Sequence, residues 1–105
     1  MQIESKNKIV FLVVIVERKK KDAIIKSIME KDARLINVLY GRTSKKVSFL
    51  KSCLGFVSDD NKVVITCLLH EEKSEAALAM LIEKYHFEKP DTGIAFTIPI
   101  VKLSI

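Results

Sequence analysis

Cysteine is scarce in this sequence: Cys53 and Cys67 are the only two in 105 residues. A secreted domain of this size usually carries a denser disulfide framework, so the count points to a reducing, cytoplasmic setting. Cys67 lies inside an apolar run and reads as a small buried hydrophobe, while a Cys53–Cys67 bridge has no support beyond the count. Long hydrophobic runs are missing too. The longest, residues 9–16, falls far short of the roughly 20 residues a bilayer requires, so no direct membrane insertion is expected. Glu17-Arg18-Lys19-Lys20-Lys21 follows that run where a signal peptide would carry small cleavage-site residues. There is no linker, internal repeat or low-complexity tract, and residues 1–105 are expected to form a single domain. Hydrophobic residues make up 49% and charged residues 30%, which is not the polar, highly charged balance of a disordered chain. The net charge of +5 is mildly basic and too small to name nucleic acid as a partner.

The side chains of catalysis are present without the groupings that catalysis needs. His70 and His86 have no second His or Cys at metal-ligand spacing, so no metal residues are predicted. Ser44, Ser48, Ser52 and Ser58 have no nucleophile-elbow motif around them, and Glu71, Glu72 and Glu75 read as an exposed helix start. No catalytic residue is predicted, and the chain is not expected to be an enzyme.

Alternating and helical periodicities fill the chain. Residues 9–16 are rich in β-branched side chains and read as a strand. Residues 20–32 switch to helical spacing, with Ile24, Ile25, Ile28 and Met29 on one face. A second strand is expected over 35–40, a third over 63–69 and a fourth over 94–101. Leu78, Leu81, Ile82 and Tyr85 form the stripe of a second helix opening at Glu71. Residues 1–7 are polar and expected to fray. The long loop 41–61 contains Val47, Leu50 and Leu54 at helical spacing before Gly55, so it is expected to carry a short helix.

The order βαββαβ gives an α+β, ferredoxin-like sandwich: a four-stranded antiparallel sheet with both helices on one face. Strands one and three are then central, and Pro99, which cannot donate to a ladder, falls on an edge strand. Both central strands are apolar on both faces. Two helices cover only one, and an exposed second face would exceed what monomers usually tolerate, so self-association is expected. That face is also no RNA platform, because ferredoxin-like RNA binders stack bases on aromatics of the central strands and strand three has none.

Three polar segments remain. Arg18-Lys19-Lys20-Lys21 places positive charge at a helix N-terminus, against the macrodipole. It reads as a solvated basic patch or an attractor of phosphate or acidic partners, as does Lys45-Lys46. Lys89-Pro90-Asp91-Thr92-Gly93 and Tyr40-Gly41-Arg42-Thr43 each combine a Gly, a cation and a hydroxyl. Such turns let backbone N–H groups approach phosphate oxygens and let Arg grip them with two parallel bonds.

With these segments in place, the pattern resembles the PII-like nitrogen-regulatory signal proteins. The likeness runs from Ile9 to Ile100. Its most specific stretch is Lys89-Pro90-Asp91-Thr92-Gly93-Ile94-Ala95-Phe96-Thr97-Ile98-Pro99-Ile100, joined by Asn37-Val38-Leu39-Tyr40-Gly41-Arg42-Thr43 at the mouth of the regulatory loop. Leu50-Lys51-Ser52-Cys53-Leu54-Gly55 is similar to the short loop helix of the divergent PII-like branch. The resemblance implies a homotrimer with inward-facing sheets, an adenine nucleotide or other small effector in inter-subunit clefts, and a transporter or metabolic enzyme as target. By position, Lys89 matches the family's phosphate-holding lysine, Gly93 a glycine of that turn, and Gly41-Arg42 the loop base; Asn37 stands where relatives place a threonine. The ligand-binding candidates are thus Lys89, Asp91, Thr92, Gly93, Gly41, Arg42 and Asn37. No tyrosine lies between Gly41 and Asn61, so family-style tyrosine modification is not expected. The usual second glycine after Gly41-Arg42 is missing, and the C-terminal arginines of typical members have no counterpart by Ile105, so phosphate binding is expected to rest on Lys89 and Arg42. The rival readings are a trimeric metal-tolerance (CutA-like) binding protein, which needs a His/Cys/Glu cluster, and a small phosphate-ester hydrolase. The latter needs a glycine-bearing phosphate loop where Glu17-Arg18-Lys19-Lys20 stands.

Overall fold

Val, Ile and Leu alternating along two runs make the two longest strands of the fold. In the computed structural model, which describes residues 2–3, 8–40, 62–90, 92–100 and 103–104, these are β2 (Ile9–Glu17) and β4 (Lys62–His70). The other elements are β1 (Gln2–Ile3), a 3-10 turn (Arg18–Lys20), α1 (Lys21–Met29), β3 (Arg34–Tyr40), α2 (Glu71–Tyr85), β5 (Gly93–Ile100) and β6 (Leu103–Ser104). The main sheet is antiparallel in the order β3-β4-β2-β5, with the two apolar runs at its centre and Pro99 on an edge strand. This is the ferredoxin-like α+β sandwich expected from the sequence. The segment expected to fray departs from that expectation: Gln2–Ile3 pairs antiparallel with Leu103–Ser104 in a separate two-stranded ribbon. The short helix expected within 41–61 lies outside the described residues.

Strand alternation divides the apolar side chains into two sets. Val10, Leu12, Val14 and Val16 of β2 and Val63, Ile65, Cys67 and Leu69 of β4 face the helices, and are buried with Ile24, Ile28, Ala77 and Leu81. Phe11, Val13, Ile15, Val64, Ile94 and Phe96 form the cluster on the other face. The middle of that second face is already closed within the chain, with Val13, Ile15 and Val64 only 5%, 3% and 7% exposed. Among the described residues its most exposed apolar side chains are Leu39 and Ile98 at the margins, 51% and 48% exposed.

Both helices differ in detail from the periodicity. α1 ends at Met29, short of residue 32, because the N–H groups of Lys31 and Asp32 turn back to the carbonyls of Ile28 and Met29 and Asp32 adopts a left-handed backbone at φ 63°. Ser27, not Met29, joins the buried stripe. Its hydroxyl donates to the Ala23 carbonyl at 3.1 Å and lies 3.4 Å from the Tyr85 hydroxyl, tying the helices together. In α2 the buried line is Ser74, Ala77 and Leu81, while Ile82 is left exposed. Small Ser and Ala lie where the helix approaches the sheet, and the bulkier Ile82 is turned to the rim.

β3 contains a bulge. Arg34 opposes Leu68 and Asn37 opposes Thr66, so β3 spends one extra residue, and Leu35 takes φ 52° to do so. A leucine in the left-handed region is strained, and this one is exposed. Leu35→Gly is therefore expected to raise stability by about 1 kcal/mol, read as a higher urea midpoint at unchanged m-value. Burial pushes the Cys67 thiol up from 9.0 to about 11. The folded chain then holds that proton more tightly than the unfolded chain, so the stability it contributes is whole below the unfolded thiol's range and is lost as pH rises toward 11. In a Cys53→Ser variant, a thiol reagent at neutral pH is expected to label Cys67 only after denaturation.

Candidate functional site

One row of the sheet organises the predicted residues. Tyr40 of β3 opposes Val63 of β4, which opposes Val16 of β2, which opposes Gly93 of β5. Tyr40 immediately precedes Gly41-Arg42, and Gly93 closes the Lys89 turn, so the two candidate segments leave the same end of the sheet. They leave from opposite edges, about 14 Å apart across three strand spacings. Gly41, Arg42 and Asp91 lie outside the described residues.

The turn after α2 is built from backbone bonds. His86 takes the left-handed conformation (φ 60°), and the N–H groups of His86 and Phe87 close on the Ile82 and Leu81 carbonyls at 3.0 and 3.3 Å. The Lys89 N–H reaches the His86 carbonyl at 2.9 Å. The Thr92 hydroxyl lies 2.7 Å from the His86 carbonyl and 2.8 Å from that of Lys89, so its proton holds the turn together. Gly93 answers a steric demand: a Cβ there would stand 2.5 Å from the Phe87 ring. Its bare Cα is the seat of Phe87. Lys89 is exposed and has no carboxylate partner among the described residues. Beside this turn a cleft of about 400 Å³ opens between α2 and β5, lined by apolar residues including Ile82, Phe87 and Ile94, with Glu88 as its acidic member.

Asn37 is not brought to this end. It lies opposite Thr66 on the sheet face away from the helices, and its amide donates to the Leu35 carbonyl at 3.2 Å. A second groove, of about 600 Å³, runs between α1 and β3 past Met29 and Leu35, and none of the candidate residues lines it.

The sequence reading missed the setting of Tyr40. The Lys21 ammonium donates to the Tyr40 hydroxyl at 2.9 Å, across 19 positions of sequence. The Arg18 guanidinium and the Lys21 ammonium lie 5.1 and 5.2 Å from the Tyr40 ring centroid, within cation–π reach. The Tyr40 hydrogen bond pulls the Lys21 ammonium pKa up, aided by Asp22 at 3.4 Å and opposed by partial desolvation. Lys19, hydrogen-bonded to Glu17 at 3.3 Å, holds the Glu17 carboxyl below its usual range, and Lys20 and Lys62 act in the same direction. The run of cations was visible in the sequence; that Tyr40 stands among them depends on β3 lying near the start of α1.

Among the described residues no three His, Cys, Asp or Glu side chains group to hold a metal ion, and no helix is long and apolar enough to cross a membrane. The geometry defines a class: a ferredoxin-like sandwich in which β3 ends at Tyr40 and β5 begins at Gly93 at the same end of the sheet, on opposite edges. No protein-family model and no curated protein matches the chain. Solved structures do. The apo form of CPII, a nitrogen-regulatory PII-like protein from Thiomonas intermedia, superposes with a TM-score of 0.68 at 16% identity, covering 98% of this chain and 95% of that one. CPII bound to ADP, AMP and bicarbonate matches with a TM-score of 0.68 at 15% identity over 99% of both chains. A protein assigned to PII-like signalling from Thermus thermophilus matches at 0.65 and 12% identity, over 90% of this chain and 87% of that one. The chain has the PII-like fold.

The seating of Phe87 on Gly93 yields a direct test. Gly93→Ala is expected to cost roughly 1–3 kcal/mol through overpacking. Adding Phe87→Leu should recover part of that loss, so the double variant measured by urea denaturation is expected to be less destabilised than the sum of the singles.

Proposed function

We propose that this chain is a PII-like, non-catalytic signal-transduction protein of the cytoplasm. It senses an adenine nucleotide in clefts between the subunits of a homotrimer and regulates a membrane transporter or a metabolic enzyme. The observation that carries the reading is the row from Tyr40 to Gly93. It sets the Lys89–Gly93 turn with its cleft on one edge of the sheet and the strand leading to Gly41-Arg42 on the other. Where the edge of one copy meets the opposite edge of the next, the two segments complete one pocket. The apolar margins of the second sheet face, at Leu39 and Ile98, supply surface for that contact. The fold supports the same reading, since CPII, with which it is shared, binds ADP and AMP.

Each candidate residue then has a definite part. Lys89, exposed and without a carboxylate partner among the described residues, neutralises phosphate charge. Thr92 and Gly93 hold the turn that presents it, Thr92 through its two carbonyl contacts and Gly93 by seating Phe87. Asp91 belongs to the same turn, and Gly41-Arg42 come from the neighbouring subunit, with Arg42 on phosphate oxygens. Asn37 faces away from this end and contributes at most through the subunit contact.

Light scattering is expected to return the mass of three 11.9 kDa chains. Isothermal titration should give saturable heat with ADP or AMP, and Lys89→Gln should weaken ADP about tenfold, the loss of one charge-assisted contact. A monomer mass, or no heat with ADP, AMP or ATP at millimolar concentration, would sink the reading.

A further inference from the structure

The start of α1 carries a charge pattern that the nucleotide reading does not use. Arg18, Lys19, Lys20 and Lys21 follow one another through the 3-10 turn into the helix, with Glu17 and Asp22 as their only nearby acids in sequence. Four cations against two carboxylates leave an excess of two positive charges within residues 17–22. Lys19 pairs with Glu17 and Lys21 with Asp22, while Arg18 and Lys20 have no carboxylate partner among the described residues. Positive charge at this position opposes the helix macrodipole, and no side chain caps the N-terminus of α1 to offset it. The Lys19 side chain is 76% exposed, and Tyr40, held between Arg18 and Lys21, is 52% exposed.

We propose that the turn Arg18–Lys20, with Lys21 and Tyr40, is a docking surface for the anionic phospholipid headgroups of a membrane. Three features select this partner. First, Arg18 and Lys19 stand exposed on a turn at the end of the sheet, with Lys20 and Lys21 partly buried behind them. Mobile headgroups can rearrange around such side chains, whereas a small fixed anion favours a concave site. Second, a half-exposed tyrosine among cations suits the headgroup level, where an apolar ring with a polar tip is at home. Third, resting on the trimeric reading above, rotation about a threefold axis puts three copies of any surface patch in one plane. With Arg18 and Lys19 exposed in each copy, six exposed cations then lie at one level along the axis, and binding to a planar partner gains from multivalency.

The test is co-sedimentation of the full chain with phosphatidylglycerol-rich vesicles and with pure phosphatidylcholine vesicles, alongside light scattering of the same sample. Binding to the anionic vesicles only is expected at about 0.1 M salt and should vanish near 1 M, where the Debye length falls to about 3 Å. Each cation near such a surface contributes roughly fivefold, so the triple variant Arg18→Gln/Lys19→Gln/Lys20→Gln should bind at least about a hundredfold more weakly, which is the loss from a single chain of the trimer. The control Lys8→Gln/Lys31→Gln/Lys73→Gln removes the same charge from the opposite end of the sheet and should stay within about twofold of wild type. Equal losses in the two variants would reduce the effect to net charge and overturn the proposal. Saturable heat with inorganic phosphate that disappears in the first variant would mark a small-anion site and overturn it as well. A trimer that ignores the vesicles overturns the membrane surface and leaves the sensor reading standing; a monomer overturns both.

Discussion

Two neighbouring strands that are apolar on both faces constrain everything else in this molecule. β2 and β4 pair along their whole length, from Ile9 with His70 to Glu17 with Lys62. Because side chains alternate, this pairing lines up Val10, Leu12, Val14 and Val16 with Leu69, Cys67, Ile65 and Val63 on one side. Slipping the register by one residue would exchange Val10, Leu12, Val14 and Val16 for Phe11, Val13 and Ile15, which are also apolar, so the fit of these side chains against the helices fixes the pairing. The two helices are placed by that cluster, with Ile24, Ile28, Ala77 and Leu81 fully buried against it. Once the central pair and the helices are set, the remaining strands can only be edges. Their ends, with the turns attached to them, are delivered to fixed corners of the sheet.

The candidate site follows from this placement. Tyr40 and Gly93 share a row because each is in register with the same central pair, Val63 and Val16. The turn at Gly93 depends on steric fit. Phe87 rests where a side chain would otherwise be, and the Thr92 hydroxyl spans two carbonyls of the same turn. The Lys89 backbone is part of this internal bonding, so the turn can present the Lys89 side chain without using it to hold itself together. The cleft beside β5 and the basic turn before α1 use different side chains, and Tyr40 joins the row of the candidate site to the basic corner.

Much of the fold was legible in residue order alone. Strand positions, the central place of the two continuous apolar runs and the edge position of Pro99 are consequences of local periodicity and of a missing N–H. The candidate site was only partly legible. Gly93 was singled out as a glycine that could admit a phosphate, but its immediate neighbour is an aromatic ring. Asn37 reads in sequence as the start of the segment entering the loop, and strand alternation after the bulge at Leu35 sets it opposite Thr66, on the sheet face away from the helices. Gly41, Arg42 and Asp91 keep only their sequence assignment.

Alternation of apolar and polar residues is a property of neighbours along the chain, so the sequence by itself determined the βαββαβ order of the main sheet and its helices, the sheet's two central strands and the presence of apolar residues on both their faces. It did not determine the terminal ribbon of Gln2–Ile3 with Leu103–Ser104. How closely two elements approach is not such a property. Tertiary structure alone decided that Ile82 would face outward while Ser27 and Ser74 are buried, that Phe87 would need Gly93, and that Tyr40 would stand between Arg18 and Lys21. It also decided how much of the second face is exposed: Val13, Ile15 and Val64 at the centre are buried within one chain, while Leu39 and Ile98 at the margins are half-exposed. Each of these depends on the distance between backbones far apart in sequence, which the packed core sets and no local pattern encodes.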